Sequence, residues 1–362
     1  MGNKNLNNAK IAKNDEFYTQ YPDIQKEIDA YLEYDPNVFK DKTILLPCDD
    51  PEWSNFTKFF AQNFEKLGLK KLISTCYINA KQIYLNNDCL QNFNSHGKIL
   101  VITKENLNSK WQYLKGDGDF RSSEIKALRD EADYIITNPP FSLFREFVSW
   151  IFESDKKFLI IGNMNAITYK EIFPLFKNNI VWSGRTEWSG GLWFETTNND
   201  DVDKIIDNKK MKKVSAFWLT NIDHGRRRQP LQLMTRADNI KFNKKLKGKE
   251  YQKYDNYDAI EVPYTDAIPS DYDGVMGVPI TFLDKYCPEQ FEILGSDAYE
   301  GTPPNKKYSA SKIKVVNGIR SESKTGTMGC VIKEDKFGQG TYFDVGYPVR
   351  AVYKRIFIRK IK

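Results

Sequence analysis

The sequence predicts a mixed α/β fold with a largely parallel sheet, followed by a smaller β-rich region. Three observations carry this. Up to about residue 220, short apolar runs alternate with stretches whose apolar residues recur at helical spacing. One run, Tyr134-Ile135-Ile136, stops abruptly in the turn Asn138-Pro139-Pro140-Phe141, as a buried strand does at its carboxyl end. From His224 onward the helical periodicity fades, and Tyr, Pro, Gly and Lys become frequent.

Taken in order, residues 1–14 read as a flexible basic tail rich in Asn and Lys. Asp15–Tyr21 is a compact aromatic loop, and Pro22 opens a helix that turns Ile24, Ile28, Tyr31 and Leu32 inward. Thr43–Leu46 is a strand. In the turn after it, Asp50 can cap the next helix with Pro51 at its first position. Trp53, Phe56, Phe60, Phe64 and Leu67 share one face of that helix, which Gly68 stops. A first strand–turn–helix is where doubly wound sheets hold nucleotides. This one lacks G-x-G-x-x-G, which argues against a dinucleotide.

Lys71–Cys76 and Lys98–Ile102 are further strands, and Gly116–Phe120 is a turn rich in Gly and Asp, ahead of a helix begun at Ser122-Ser123-Glu124. A helix is expected over Phe141–Phe152 and a strand over Lys157–Ile161, with Thr168 capping a helix that carries Ile172, Leu175 and Phe176. Leu192–Phe194 and Val214–Thr220 are late strands, and residues 196–213 between them form a loop too polar to pack. Beyond the Arg226-Arg227-Arg228 cluster, strands are expected over Lys312–Val316, Thr341–Val345 and Tyr353–Lys360.

The central turn has a chemistry of its own. Its two prolines fix φ and remove two backbone donors, and Pro139 pushes Asn138 away from helical geometry. The Asn138 side-chain oxygen and the Pro139 carbonyl are then two stiffly held acceptors, suited to the two hydrogens of an –NH2 group. Phe141 offers a flat face to the ring bearing that amine. Its lone pair is left aimed at an electrophile without a strong base.

Composition narrows the rest. The 362 residues suffice for one large domain, or a domain plus an accessory module, and 40% hydrophobic content supplies a core. A net charge of +6 is compatible with nucleic acid. The five cysteines (Cys48, Cys76, Cys89, Cys287, Cys330) are scattered and only two histidines occur, so no metal site is expected. Such cysteines suit reduced thiols and a cytoplasmic setting. No apolar run reaches membrane-spanning length, no signal-peptide region follows Met1, and Leu6 breaks the myristoylation pattern.

Five stretches together resemble the EcoRI-type adenine-specific DNA methyltransferases. In order they are Asp15–Tyr21, Cys48-Asp-Asp-Pro51, Gly116–Glu124, Thr137-Asn-Pro-Pro-Phe-Ser-Leu-Phe144 and Gly274–Phe282. The resemblance runs from about Asp15 to Leu294. It implies a Rossmann-like class I methyltransferase core over 15–225 and a target-recognition region over 226–362, with parts of 250–295 folding back on the core. It implies S-adenosyl-L-methionine as cofactor. Phe17, Tyr18 and Thr19 fall where its methionine end is held, although the two aromatics could equally staple the first helix to the sheet. Cys48, Asp49 and Asp50 are cofactor-binding, the acids facing the sulfonium and ammonium charges, and one aspartate could be only a helix cap. Asp119 would accept from the cofactor's adenine amino group and Phe120 would stack on its ring, where an ordinary Asp-Gly turn is the alternative. Related enzymes bind the ribose with an acid after the second strand. Cys76-Tyr77-Ile78-Asn79 has none, so that contact is unassigned.

The resemblance assigns catalysis to Asn138, Pro139, Pro140 and Phe141. The expected reaction is methylation of N6 of an adenine flipped out of double-stranded DNA. Arg226, Arg227 and Arg228 would contact that DNA. A cognate restriction endonuclease acting on the same site is the expected companion, with no metal and no membrane partner. The rivals are an RNA adenine or protein glutamine methyltransferase, and a catalytically silent DNA-binding protein on the same fold.

Overall fold

The structure, a computed structural model, describes residues 18–78, 96–188, 191–196, 202–297, 303–309, 311–324 and 328–361. The basic tail, Phe17 and Cys89 lie outside the described residues. Two compact units are present: one runs to Ala166 and includes Val181–Gly225, and the other comprises Ile167–Ile180 and the chain from Arg226.

The first unit contains β1 (Tyr18–Thr19), α1 (Tyr21–Tyr34), β2 (Thr43–Leu46), α2 (Asn55–Gln62), β3 (Lys71–Cys76), β4 (Lys98–Thr103), β5 (Gln112–Tyr113), α3 (Ser123–Glu131), β6 (Tyr134–Thr137), α4 (Phe144–Phe152), β7 (Lys157–Asn163), β8 (Trp182–Ser183), β9 (Leu192–Glu195), β10 (Lys204–Ile206), β11 (Lys209–Val214) and β12 (Ala216–Thr220). An eight-stranded sheet has the order β5-β4-β3-β2-β6-β7-β12-β8. Its four central strands pair in parallel, while β4 and β5 on one side and β12 and β8 on the other are antiparallel. The sheet is therefore mixed rather than largely parallel. Parallel pairing needs a crossover, and α2, α3 and α4 lie in the crossovers among the central strands. The hydropathy of an outer strand does not record its direction. β2 and β6 are buried at every residue, as befits strands covered on both faces.

Local chemistry shifts several boundaries. Ser54, not Asp50, caps α2: its Oγ accepts from Phe56 N at 3.0 Å. Asp50 instead closes the turn ahead of it, accepting from Glu52 N at 2.7 Å. Trp53 consequently leaves the packed face and is 68% exposed, whereas Phe56, Phe60, Phe64 and Leu67 are in the core. A 3-10 turn over Phe141–Leu143 precedes α4. Residues 196–213 do not form a plain loop. Asp207 (φ 47°) and Asn208 (φ 60°) make a left-handed two-residue turn between β10 and β11, and these join β1 and β9 in a second, four-stranded sheet. Only backbone pairing and the buried Met211 were needed, so polar composition concealed the hairpin.

Glu27 on α1 pins the outer part of this unit. Its carboxylate is fully buried and accepts from Arg185 N (2.6 Å), Thr186 N (2.7 Å) and Thr186 Oγ1 (2.5 Å). Burial raises its pKa, and the three donors oppose the rise. Gly184 allows the approach, since a Cβ there would stand 2.3 Å from Glu27 Oε1.

The second unit contains α5 (Phe173–Lys177), α6 (Arg236–Phe242), β13 (Ile260–Glu261), β14 (Met276–Pro279), β15 (Phe291–Ser296), β16 (Lys312–Val316), β17 (Ile319–Ser323), β18 (Val331–Lys333), β19 (Thr341–Asp344), β20 (Pro348–Ala351) and β21 (Arg355–Lys360). Its sheets have the orders β13-β14-β21-β15 and β17-β16-β19-β20-β18. Tyr254, Tyr257, Cys330, Ile332 and Phe357 share a core cluster. Beside it, Arg355 grips the buried Glu261 through two bonds of 2.5 and 2.9 Å, and Tyr254 donates to the same carboxylate. Thr168 does not cap a helix: its hydroxyl accepts from Lys354 Nζ at 2.9 Å, and α5 begins after Ile172.

Glu27→Ala would strand buried backbone donors and leave a cavity. It should cost about 2–4 kcal/mol in chemical denaturation, whereas Glu33→Ala on the exposed face of α1 should stay within about 0.5 kcal/mol. Equal effects would show that the Glu27 clamp contributes nothing.

Candidate active site

The parallel strands β2, β3 and β6 end beside one another, and a cavity of about 390 Å³ opens there, the position at which open α/β sheets bind ligands. Thr19, Cys48, Asp49, Asp50, Asp119, Phe120, Asn138 and Pro140 all line it, brought together from four separate stretches of chain. Pro139 and Phe141 are not among the lining residues; Phe141 is buried, edge-on to Phe194 with ring centroids 6.4 Å apart. Tyr18 pairs through its backbone with Glu195. The arginine cluster lies in the second unit. There Arg226 pairs with Asp284 (3.2 Å), and Arg227 donates to Asn179 (2.5 Å).

Asp49 is the most constrained of these groups. Its two oxygens accept from Ser54 Oγ (2.6 Å) and Thr137 Oγ1 (2.5 Å). Its own N–H donates to the Thr75 carbonyl, and its carbonyl accepts from Ser74 Oγ at 2.6 Å. It thus ties together the end of β2, the cap of α2, β3, and the last residue of β6 before Asn138. Burial pushes its carboxyl up to about 7, the two hydroxyls oppose the shift, and the nearby Asp50 adds to it. Sequence reasoning missed Ser54 and Thr137. The only available signals were a serine two residues before Phe56 and a threonine abutting the Asn-Pro-Pro-Phe turn.

Asp50 reaches the end of β3. Its Oδ2 accepts from Cys76 Sγ (3.4 Å) and Lys98 Nζ (3.3 Å), and Lys98 also pairs with Glu52. A carboxylate therefore stands at the end of β3, although no acid follows it in sequence. Burial, then the Asp50 charge, push the Cys76 thiol up to about 12; burial and then Asp49 raise that of Cys48. Both are protonated at neutral pH.

The opposite wall is the Gly116–Phe120 turn. Gly118 (φ +85°) admits no side chain, since a Cβ would stand 2.3 Å from the Cys76 carbonyl. Glu124 holds the turn by accepting from Lys115 N and Gly116 N at 3.0 and 2.9 Å. Asp119 accepts from Arg121 Nη2 at 2.6 Å, a contact that lowers its pKa. Phe120 packs edge-on against Phe147 and Trp150. Asn55, also missed in the sequence, donates to the Thr19 carbonyl at 2.8 Å. The cavity so built offers carboxylates, an aromatic wall and a fixed amide, and has no glycine-rich phosphate cradle. It suits a cationic ligand carrying a flat ring. Among the described residues no cluster has the makings of a metal site, and no helix is long and apolar enough to cross a membrane.

Because the folded pKa of Asp49 lies above its unfolded value, the native state binds the proton more tightly. Its contribution to stability is therefore lost as pH rises from about 4 to about 7. The melting temperature of wild type minus that of Asp49→Asn should fall across that window and level off above it. A difference that grows with pH would mean that the hydroxyls stabilise the carboxylate more than burial penalises it.

Similarity to known proteins identifies the family. A family model described as adenine-specific methyltransferase EcoRI matches residues 5–360. The type II methyltransferase M.EcoRI of Escherichia coli is 44% identical over 306 residues, covering 81% of this chain and 89% of its own. M.MpnI of Mycoplasma pneumoniae is 37% identical over 298 residues, covering 80% and 84%, and M.MgeORF184P of Mycoplasma genitalium is 36% identical over 296 residues, covering 80% and 85%. No solved structure matches the chain. With the family model spanning nearly the whole sequence and M.EcoRI 44% identical over most of both chains, the chain belongs to the EcoRI family of adenine-specific methyltransferases.

Proposed function

We propose that the chain moves a methyl group from S-adenosylmethionine to N6 of an adenine in double-stranded DNA. In this reading the first unit is a Rossmann-like class I core, and the second recognises the target. The protein would be the modification arm of a restriction–modification system, sharing its site with a cognate endonuclease. One observation supports this above the others: Asn138 and Pro140 line the same cavity as Asp50, Asp119 and Phe120.

The residues present fit the cofactor. Asp50 and Asp119 can answer its positive charges and hydrogen-bond donors, and Phe120 its adenine ring. The Asp50 carboxylate beside Cys76 takes the ribose contact that the sequence left unassigned. Asp49 acts as a positioning residue, and Cys48 and Thr19 complete the wall. When bound, the cofactor supplies an electrophilic methyl group on a sulfonium.

The chain's own contribution is positioning and fixed dipoles. The target base leaves the stack to reach the cavity. Asn138 Oδ1 and the Pro139 carbonyl accept the two amine hydrogens and stabilise the positive charge that develops on nitrogen. Pro140 keeps the turn rigid. Phe141 is buried edge-on to Phe194, and its ring would turn into the cavity to support the base. Arg227 and Arg228 approach the DNA backbone, whereas Arg226 serves the second unit through Asp284.

Mass spectrometry of nucleosides after reaction should find N6-methyladenine. Label appearing only in cytosine, RNA or protein would refute the assignment. Asn138→Ala should lower turnover on the order of 100- to 1,000-fold while sparing cofactor affinity. Phe141→Ala should be milder, and Phe141→Trp milder still, because the ring face survives. Full turnover by Asn138→Ala would reduce the motif to a structural turn.

A further inference from the structure

The basic charge of this protein is concentrated at one end. Residues 303–362 carry fourteen lysines and arginines against four carboxylates, whereas the preceding chain has an excess of acid. Within this stretch an exposed tip, here called the prong, ends the β17 edge of the second unit's five-stranded sheet. The β16–β17 hairpin turns through Asn317 (φ 49°) and Gly318 (φ 83°), a two-residue turn matched to strand twist. The loop leading into β19 lies beside it. Asn317 N donates to the Gly340 carbonyl and Gly340 N to Asn317 Oδ1, both at 3.1 Å, so the two tips form one body.

The prong is apolar where exposure is greatest. Ile319 is 74% exposed, with Val316 and Phe337 partly so. Arg320 lies over the Phe337 ring at 5.8 Å and pairs with Asp344. At the tip itself, residues 316–320 and 335–344 carry two bases, Arg320 and Lys336, and two acids, Asp335 and Asp344, in contrast to the surrounding chain. Phosphate contacts need net positive charge and base contacts do not. Apolar side chains at an exposed loop tip can meet thymine methyls in the major groove or enter between base steps.

We propose that this prong enters a groove of double-stranded DNA and that Ile319 and Phe337 contact bases, making them determinants of the recognised sequence. The inference rests on reading the chain as a DNA methyltransferase. The surrounding basic residues hold the phosphates, and the prong discriminates.

The test uses the full chain, a random-sequence duplex library and sequencing of the adenines that become methylated, together with binding measured across salt concentrations. Ile319→Ser and Phe337→Ser should lower modification of the preferred site relative to its single-base variants by about tenfold or more, with the log–log salt slope of binding unchanged. Ile319→Lys should lose the preference while steepening that slope. Two results would overturn the proposal: an unchanged site preference in all three variants, or an unchanged preference accompanied by an altered oligomeric state, which would make the tip a protein contact. A wild type that methylates no DNA would instead overturn the underlying function.

Discussion

Two hydroxyls on one buried carboxyl organise the candidate site. Asp49 receives Ser54 and Thr137, and through its backbone it holds Thr75 and Ser74. Three strand ends and a helix cap therefore meet at a single residue. Thr137 immediately precedes Asn138, so the position of the turn that faces the cavity is set by a bond made on its other side. A buried polar network of this kind is favourable only when every member is satisfied. Its geometry then becomes hard to deform, and a rigid turn at a cavity gains from that.

The same device recurs elsewhere. Glu27 holds the Arg185–Thr186 segment by accepting from its backbone, and in the second unit Glu261 accepts from the side chains of Arg355 and Tyr254. Removing one partner of such a group is costly because the other remains buried and unpaired. These acids play two parts. The buried ones hold loops in place, and Asp50 and Asp119 stand partly open on the cavity wall.

Much of the site was legible because the chemistry was local. Asn138-Pro139-Pro140-Phe141 follows a buried run, and the prolines restrict the turn whatever surrounds it. The acids after β2 and the Gly-Asp turn before α3 were equally visible. Less legible were features that depend on distant partners. Asp50 looked like a helix cap, yet Ser54 has that role, and Asp50 reaches Cys76 and Lys98 instead. The β10–β11 hairpin was hidden because its strands bury almost nothing beyond Met211. Arg226 was expected at the DNA, and nothing local to it announced Asp284, its partner 58 residues away.

The sequence by itself determined the alternation of strands and helices, the buried centre of the sheet and the stiff turn, since hydropathy period and proline geometry act over a few residues. Only the tertiary structure decided the direction of the outer strands, which carboxylate stands at the end of β3, and that Asp49 is a knot. Each of these depends on groups far apart in the chain meeting at hydrogen-bond distance, and no local pattern encodes that meeting.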